Sequence, residues 1–363
     1  MKIVFVASGK SVHTHRWVNA MSERGHRVWL ISNDNDQDSQ NQISNDVEKI
    51  TLPFSGKKGY YLNALYLKKW CSLINPDVIN AHYASGYGTL LRLSGLAEKS
   101  VLSVWGSDIY EFPYRNNICM GIIKKNLLSA KCIAATSKNM IKQVKMLAPV
   151  KNVFETPFGI DINKFYRVEK TNKQIEICTI KTLEKNYRVD YFIKSIALLV
   201  SKLDKEGINA EELFKVSIYG EGAERENLAR LISYLSLDNI VELKGYVQHE
   251  FVPRVLSKMD IFVALSEKES FGVSVLEASA ARIPVVVSDA LGFSEIVKDS
   301  ISGFIVKDGN PEIVSEKIYI LMKDEKLRET MGKNGHELVE KFYSWDKCVE
   351  MMEKVYLCIS DES

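Results

Sequence analysis

The chain has no GxGxxG fingerprint, no CxxC pair, and no apolar run as long as a membrane-spanning helix needs. Each absence narrows the function. Without GxGxxG after the first strand, a nicotinamide-dependent oxidoreductase is not expected. Gly9-Lys10-Ser11 looks like the end of a phosphate-binding P-loop, but the glycine needed five residues earlier is Val4. The six cysteines, Cys71, Cys119, Cys132, Cys178, Cys348 and Cys358, lack metal-type spacing. They read as reduced thiols of a cytoplasmic protein. Met1 to Ala7 is too short for the core of a signal peptide.

Net charge is also scarce, at +2, but it is unevenly placed. Residues 1–165 carry 21 Lys and Arg against 12 Asp and Glu, whereas residues 166–363 carry 27 against 34. A basic first half suits an anionic membrane surface or a lipid-linked diphosphate, unless the asymmetry is chance. No recognition motif accompanies it, so nucleic acid is not an expected partner.

What is present is a repeated strand–helix grammar. At 363 residues the chain suits two domains. Lys2 to Ala7 reads as a buried strand, His13 to Glu23 as a helix ended by Gly25, and His26 to Ser32 as a second strand. Such a βαβ start favours a parallel, doubly wound sheet. Further strands follow at Pro76 to His82, Val101 to Trp105 and Ile133 to Thr136. Asn33 to Asp46 reads as a polar loop, with Asp34-Asn35-Asp36 as solvated acids. Tyr60 to Ile74 reads as one helix. Its lysines and aromatics suit either a membrane interface or an ordinary amphipathic helix with aromatics in the core. The polar stretch Arg167 to Gln174 is the expected boundary. A second series then runs through strands at Ile175 to Ile180, Phe214 to Tyr219, Ile240 to Lys244, Ile261 to Leu265, Val285 to Val287 and Phe304 to Val306. Trp345 to Ile359 reads as a terminal helix.

The most informative stretch is Ser266 to Asp289. It reads as strand, loop, helix and strand, with Ser270 as N-cap and Pro284 as the stop. A helix start at Phe271-Gly272-Val273 offers unpaired N–H groups and partial positive charge, a site for phosphate. Glu269 precedes it, and Glu277 lies about 7.5 Å along its axis from Gly272. The alternative is a surface helix with two solvated acids. The Gly220-Glu221-Gly222 turn, with Lys181 and Lys185 after the first strand of this half, completes a candidate diphosphate site. Lysines and amides there would stabilise a leaving diphosphate without a metal ion. In the first half, Gly9, His82 and Asp108 lie at strand ends, where ligands bind in open α/β sheets. They are candidates to hold sugar hydroxyls or a proton.

Together these motifs resemble the retaining glycosyltransferases of family 4. Glu269 and Glu277 match that family's E-x7-E segment. Arg24-Gly25-His26, Asp77 to His82, SVWGSD at Ser103 to Asp108, Pro157 to Asp161, Gly220 to Gly222, Leu291-Gly292 with Glu295, and Tyr343-Ser344-Trp345 extend the likeness along the chain. The resemblance implies a GT-B fold, an α/β architecture of two Rossmann-like doubly wound parallel-sheet domains facing a central cleft. The domains would be residues 1–165 and 166–344, with residues 345–363 packing back on the first. It implies that Glu277 holds the nucleotide ribose and Glu269 the donor sugar. The amides of Phe271, Gly272 and Val273 would meet the diphosphate or sugar, and His82 the sugar near its reacting carbon. Gly9 would approach phosphates or acceptor, with His15, Arg16 and Asp108 as acceptor contacts.

The expected activity is transfer of a hexose or hexosamine from a UDP- or GDP-linked donor to a hydroxyl, with retention and without a cofactor or metal. The acceptor would be a lipid-linked glycan of surface polysaccharide or lipopolysaccharide assembly, met at the inner face of the cytoplasmic membrane. Two departures stand out. Thr182 occupies the place of the family's Arg before Leu, and Tyr187-Arg188 that of its Lys-Gly. Arg282 replaces the usual glycine before Ile-Pro-Val. The rival readings are a GT-B sugar-nucleotide epimerase and a non-catalytic partner subunit.

Overall fold

The structure, a computed structural model, describes residues 1–34, 43–168 and 174–360. Asn35 and Asp36 of the polar loop, and residues 169–173 of the expected boundary, lie outside them. The chain divides into two units: Met1–Gly159 with Asp346–Ser363, and Ile160–Trp345.

The first unit is built on seven parallel strands: β1 (Lys2–Val6), β2 (Arg27–Ser32), β3 (Glu48–Thr51), β4 (Val78–His82), β5 (Ser100–Val104), β6 (Cys132–Ala135) and β7 (Val153–Glu155). Their order is β3-β2-β1-β4-β5-β6-β7. β1, β4 and β5 are buried along nearly their whole length because helices cover both faces of a parallel sheet. The order reverses between β1 and β4, so the loops after these strands flank a topological switch point, where such sheets bind ligands. Helix α1 (Val12–Glu23) follows β1, with the Ser11 side chain capping its first turn. The helix Trp345–Ser360 closes against this unit. Its Tyr356 hydroxyl takes a hydrogen from Asn80 on β4, and Glu353 pairs with Arg24 at 3.0 Å.

The second unit carries six parallel strands: β8 (Ile175–Ile180), β9 (Phe214–Tyr219), β10 (Val241–Gly245), β11 (Ile261–Ala264), β12 (Val285–Ser288) and β13 (Gly303–Val306). Their order, β10-β9-β8-β11-β12-β13, puts the switch point between β8 and β11. Its core gathers Phe192, Phe214, Ile218, Ile261 and Val286, each buried apolar side chain worth about 1.5–3 kcal/mol relative to exposure.

Several expectations change. The segment read as one helix is two: α2 (Gly56–Leu62) and α3 (Ala64–Ile74). Buried Asn63 breaks it by pairing its side-chain amide with both the N–H and the C=O of Phe54. Tyr83 to Tyr87, after β4, is a wide π-type turn. The helix of the E-x7-E stretch begins at Val273, capped by Gly272 rather than Ser270. Gly272 has φ +97°, and a Cβ there would lie 2.8 Å from the Phe293 ring. The strands β3 and β7 and the helix Glu325–Phe342 were not expected.

Candidate active site

In the second unit the site grows from the ends of β8 and β11. Lys181, just past β8, sends its Nζ to Glu269 Oε2 at 2.5 Å, and both side chains are nearly buried. The same ammonium lies 4.8 Å from the centroid of the Tyr187 ring and 5.8 Å from that of Phe293. Tyr187 stands where the family resemblance expects a lysine, and its ring supplies a π face to the Lys181 ammonium. Phe293 also backs Gly272, so the cation and the helix start border one ring.

The loop bearing Glu269 is pinned on two sides. Asn186 acts as a backbone mimic: its side chain accepts from Lys268 N–H and donates to Lys268 C=O, while its own carbonyl accepts from Glu267 N–H. On the other side, Gly292 donates its N–H to Glu269 C=O at 3.0 Å. A Cβ at Gly292 would meet Phe271 N at 2.6 Å, so only glycine permits this approach.

Gly272 has no side chain to cap the helix Val273–Ala280. The N–H groups of Val273 and Ser274 have no intrahelical acceptor and point along the helix dipole, while Val275 N–H turns back to the Gly272 carbonyl at 3.0 Å. Ser274, in that first turn, has a buried Oγ without a hydrogen-bond partner. Sequence reasoning missed Ser274; a small hydroxyl in the first turn after a glycine was the available signal. Glu277, farther along the helix, is buried, and its Oε1 lies 3.0 Å from His249 Nε2. His249 comes from the segment after β10, and nothing in the linear sequence ties it to Glu277.

Other expected residues find different work. Gly220 has φ +146°, and a Cβ there would fall 1.8 Å from the Lys181 carbonyl oxygen. Close packing of the β8 and β9 loops thus accounts for the glycine. Lys185 is exposed on the turn Lys185–Tyr187 and takes no part in the Lys181–Glu269 pair. Arg188 bonds the Asp308 carbonyl at 2.8 Å and approaches Glu267 at 3.5 Å. Arg282 adopts φ +58°, the left-handed conformation of a residue just past a helix end, which explains a glycine preference there.

In the first unit, His82 ends β4 and is almost fully buried. Its ring lies edge-on to Phe5, with centroids 5.3 Å apart, and 4.6 Å from Trp105. Burial, with His13 adding to it, lowers its pKa from 6.5 to about 3, so the ring is neutral at physiological pH. Nδ1 lies 3.3 Å from the hydroxyl of buried Thr14, while Nε2 has no partner. With Thr14 donating to Nδ1, Nε2 carries the hydrogen, and the ring presents an unused donor.

The three expected acceptor contacts all have partners within the first unit. Asp108 is fully buried and accepts the N–H groups of Ala84 at 2.8 Å, Gly106 at 2.9 Å and Trp105 at 3.2 Å. Burial raises its pKa and these amides oppose the rise. It braces the loops after β4 and β5 and has no open face for a substrate. His15 is buried with its Nε2 on the Gly9 carbonyl, and so shapes the loop after β1. Arg16 donates to the Gly159 carbonyl. Gly9 itself is buried in that loop.

Two parallel-sheet units, each with polar groups gathered at its switch point, define the GT-B class. Family models match each half: Glycosyl transferases group 1 over residues 161–338, and Glycosyl transferase 4-like over residues 2–137. The chain is a glycosyltransferase of these families, with the GT-B fold. It is 25% identical to N-acetyl-alpha-D-glucosaminyl L-malate synthase of Bacillus anthracis over 299 residues, covering 78% of this chain and 74% of that enzyme. It is 24% identical to alpha-monoglucosyldiacylglycerol synthase of Acholeplasma laidlawii, over 93% of this chain and 90% of that one. Among solved structures, Anabaena HepE in complex with UDP shares the fold with a TM-score of 0.79 at 17% identity, over 98% of this chain and 99% of that chain.

Proposed function

We propose that this glycosyltransferase moves a hexose or hexosamine from a UDP- or GDP-linked donor to a hydroxyl of a lipid-linked glycan, with retention and without a metal ion. The observation that carries this reading is the uncapped helix start at Gly272, with its partnerless Ser274 hydroxyl, beside the Lys181–Glu269 pair. Amide dipoles, a hydroxyl and an ammonium are the groups that stabilise charge growing on a departing diphosphate. Glu277 is placed farther along the helix, where a carboxylate accepts from ribose hydroxyls, with His249 orienting it. Glu269, steadied by Lys181, accepts from a hydroxyl of the donor sugar. In the first unit, His82 offers its Nε2 hydrogen as a donor.

In the transfer step the acceptor oxygen bonds to the anomeric carbon as the bond from that carbon to the diphosphate breaks. The acceptor proton passes to the departing diphosphate oxygen on the same face, which gives retention. Relatives named for N-acetylglucosaminyl and glucosyl products support a hexose or hexosamine donor, and the diacylglycerol product of one supports an acceptor at a membrane. The enzyme would then work on the cytoplasmic face of an anionic bilayer. Among the described residues, no helix is long and apolar enough to cross that bilayer.

The test is incubation of the purified chain with labelled UDP- and GDP-sugars, with and without membranes and with EDTA present, followed by NMR of the product anomer. Retained configuration with EDTA present is the expected result. Absence of nucleotide binding, transfer and hydrolysis with every donor would overturn the reading, and interconversion of the donor without acceptor would replace it by epimerisation.

A further inference from the structure

The face of the first unit formed by α2 and α3 exposes more apolar surface than packing explains. α3 buries Leu67, Cys71 and Ile74. Its other side carries Leu65, Tyr66, Trp70 and Leu73, which at 3.6 residues per turn span an arc of roughly 140°. Leu65 is 79% exposed and Leu73 68%, and Tyr66 and Trp70 are exposed too. Tyr61 and Leu62 at the end of α2, and Phe54 before it, extend the exposed apolar surface. The aromatics read as a possible core are therefore outside it, except for half-buried Tyr60, which meets the Tyr87 ring edge-on with centroids 5.1 Å apart.

Within α2 and α3 themselves the charged residues have one sign. Between Glu48 and Asp77 there is no acidic residue, while Lys49, Lys57, Lys58, Lys68 and Lys69 all fall there. Lys57, Lys58, Lys68 and Lys69 are exposed around the apolar residues. Aliphatic and aromatic side chains interleaved with lysines, Lys69 lying between Leu65 and Leu73, match the boundary of a bilayer, where apolar groups enter between lipids and long ammonium side chains reach headgroup phosphates. A second copy of this face would fit poorly, because a two-fold contact sets a patch against itself and would place lysines against lysines.

We propose that the outer face of α2 and α3 is a membrane-docking surface for bilayers rich in anionic phospholipid, with Leu65, Trp70 and Leu73 as apolar anchors and Lys57, Lys58, Lys68 and Lys69 as headgroup contacts. The proposal rests on the reading of a membrane-borne acceptor and deepens it. Docking through α2 and α3 brings the first unit, with His82 and the β1 loop, to the surface where such an acceptor resides.

The experiment is co-sedimentation of the full chain with phosphatidylcholine vesicles, with and without phosphatidylglycerol, at low and high salt. Two variants accompany it, Leu65→Gln with Leu73→Gln, and Lys68→Glu with Lys69→Glu; all four side chains are exposed, so the fold should tolerate them. Binding should require phosphatidylglycerol and weaken with salt, and each double variant should lose roughly tenfold or more in vesicle affinity. Circular dichroism and UDP and GDP binding by calorimetry should not change. A wild-type chain that stays in the supernatant with every vesicle, or double variants that bind like wild type, would overturn the proposal. So would a dimer in light scattering that the double variants dissolve, since the face would then be a protein interface. Nucleotide binding is read separately, so its absence sinks the donor reading without touching the vesicle result.

Discussion

Lys181 and Glu269 form an ion pair at 2.5 Å in which each side chain is only 13% exposed. Removing one partner of such a pair leaves a charge poorly solvated, at a cost of about 3 kcal/mol. Lys181→Ala should therefore lower the urea midpoint. It should also lower sugar transfer by roughly a hundredfold, because it removes the cation proposed to meet the diphosphate. Lys181→Arg should recover part of both. Transfer by Lys181→Ala close to the wild-type rate would mean that the diphosphate charge is met elsewhere.

His82 makes stability depend on acid in a stated direction. Its folded pKa, about 3, lies below the unfolded value near 6.5. Between these values the unfolded chain binds the proton and the folded chain does not. The contribution from neutral His82 is complete above about pH 6.5 and is lost as pH falls toward 3, with a limiting slope of about 1.4 kcal/mol per pH unit. Urea midpoints followed across this window should show that slope in the wild type and a shallower one in His82→Gln. Equal slopes would mean that the ring is not held neutral. The same variant should lose transfer while keeping nucleotide binding, since the partnerless Nε2 belongs to the first unit.

Most of the sheet was legible because its strands are β-branched runs such as Val285-Val286-Val287 that can only be buried. β3 was not, since Glu48, Lys49 and Thr51 are exposed on an edge strand and give no apolar run. The helix Glu325–Phe342 escaped for a different reason. Its buried face is Met331, Gly332, Gly335 and Val339, and a Cβ at Gly332 would fall 2.1 Å from the Arg282 carbonyl oxygen. Close approach of backbones, rather than bulk, makes that contact, and hydrophobic spacing does not register it. At the site, the spacing of Glu269 and Glu277 was readable because both lie on one short stretch. The partners Thr14 and His249 were not, because each comes from a distant element. The inward turn of Asp108 onto three loop amides was not legible either, because a strand-end position does not reveal it.

A variant of Asp108 separates bracing from acceptor contact. Asp108→Ala strips buried acceptors from Ala84, Trp105 and Gly106, and unsatisfied amides of this kind cost about 3 kcal/mol in total. The expected outcome is a lowered melting temperature, with KM for the acceptor near wild type in whatever fraction stays folded. An acceptor contact would give the opposite pattern, with unchanged melting and a raised KM.

Ser274 separates a binding role from a structural one. Its buried hydroxyl oxygen has no partner, so Ser274→Ala removes a polar atom that the unliganded fold leaves unsatisfied. Alanine also favours the helix. Melting should therefore stay level or rise slightly. Nucleotide binding should respond in the other direction, because a hydrogen bond from a hydroxyl to a charged phosphate contributes about 1.5 kcal/mol, roughly a tenfold change in Kd. Calorimetry with UDP and GDP on both forms gives the answer. A variant that melts higher and binds the nucleotide less tightly places the diphosphate at the Gly272 helix start. Unchanged affinity would move it away from Ser274 and leave Lys181 without its proposed companion.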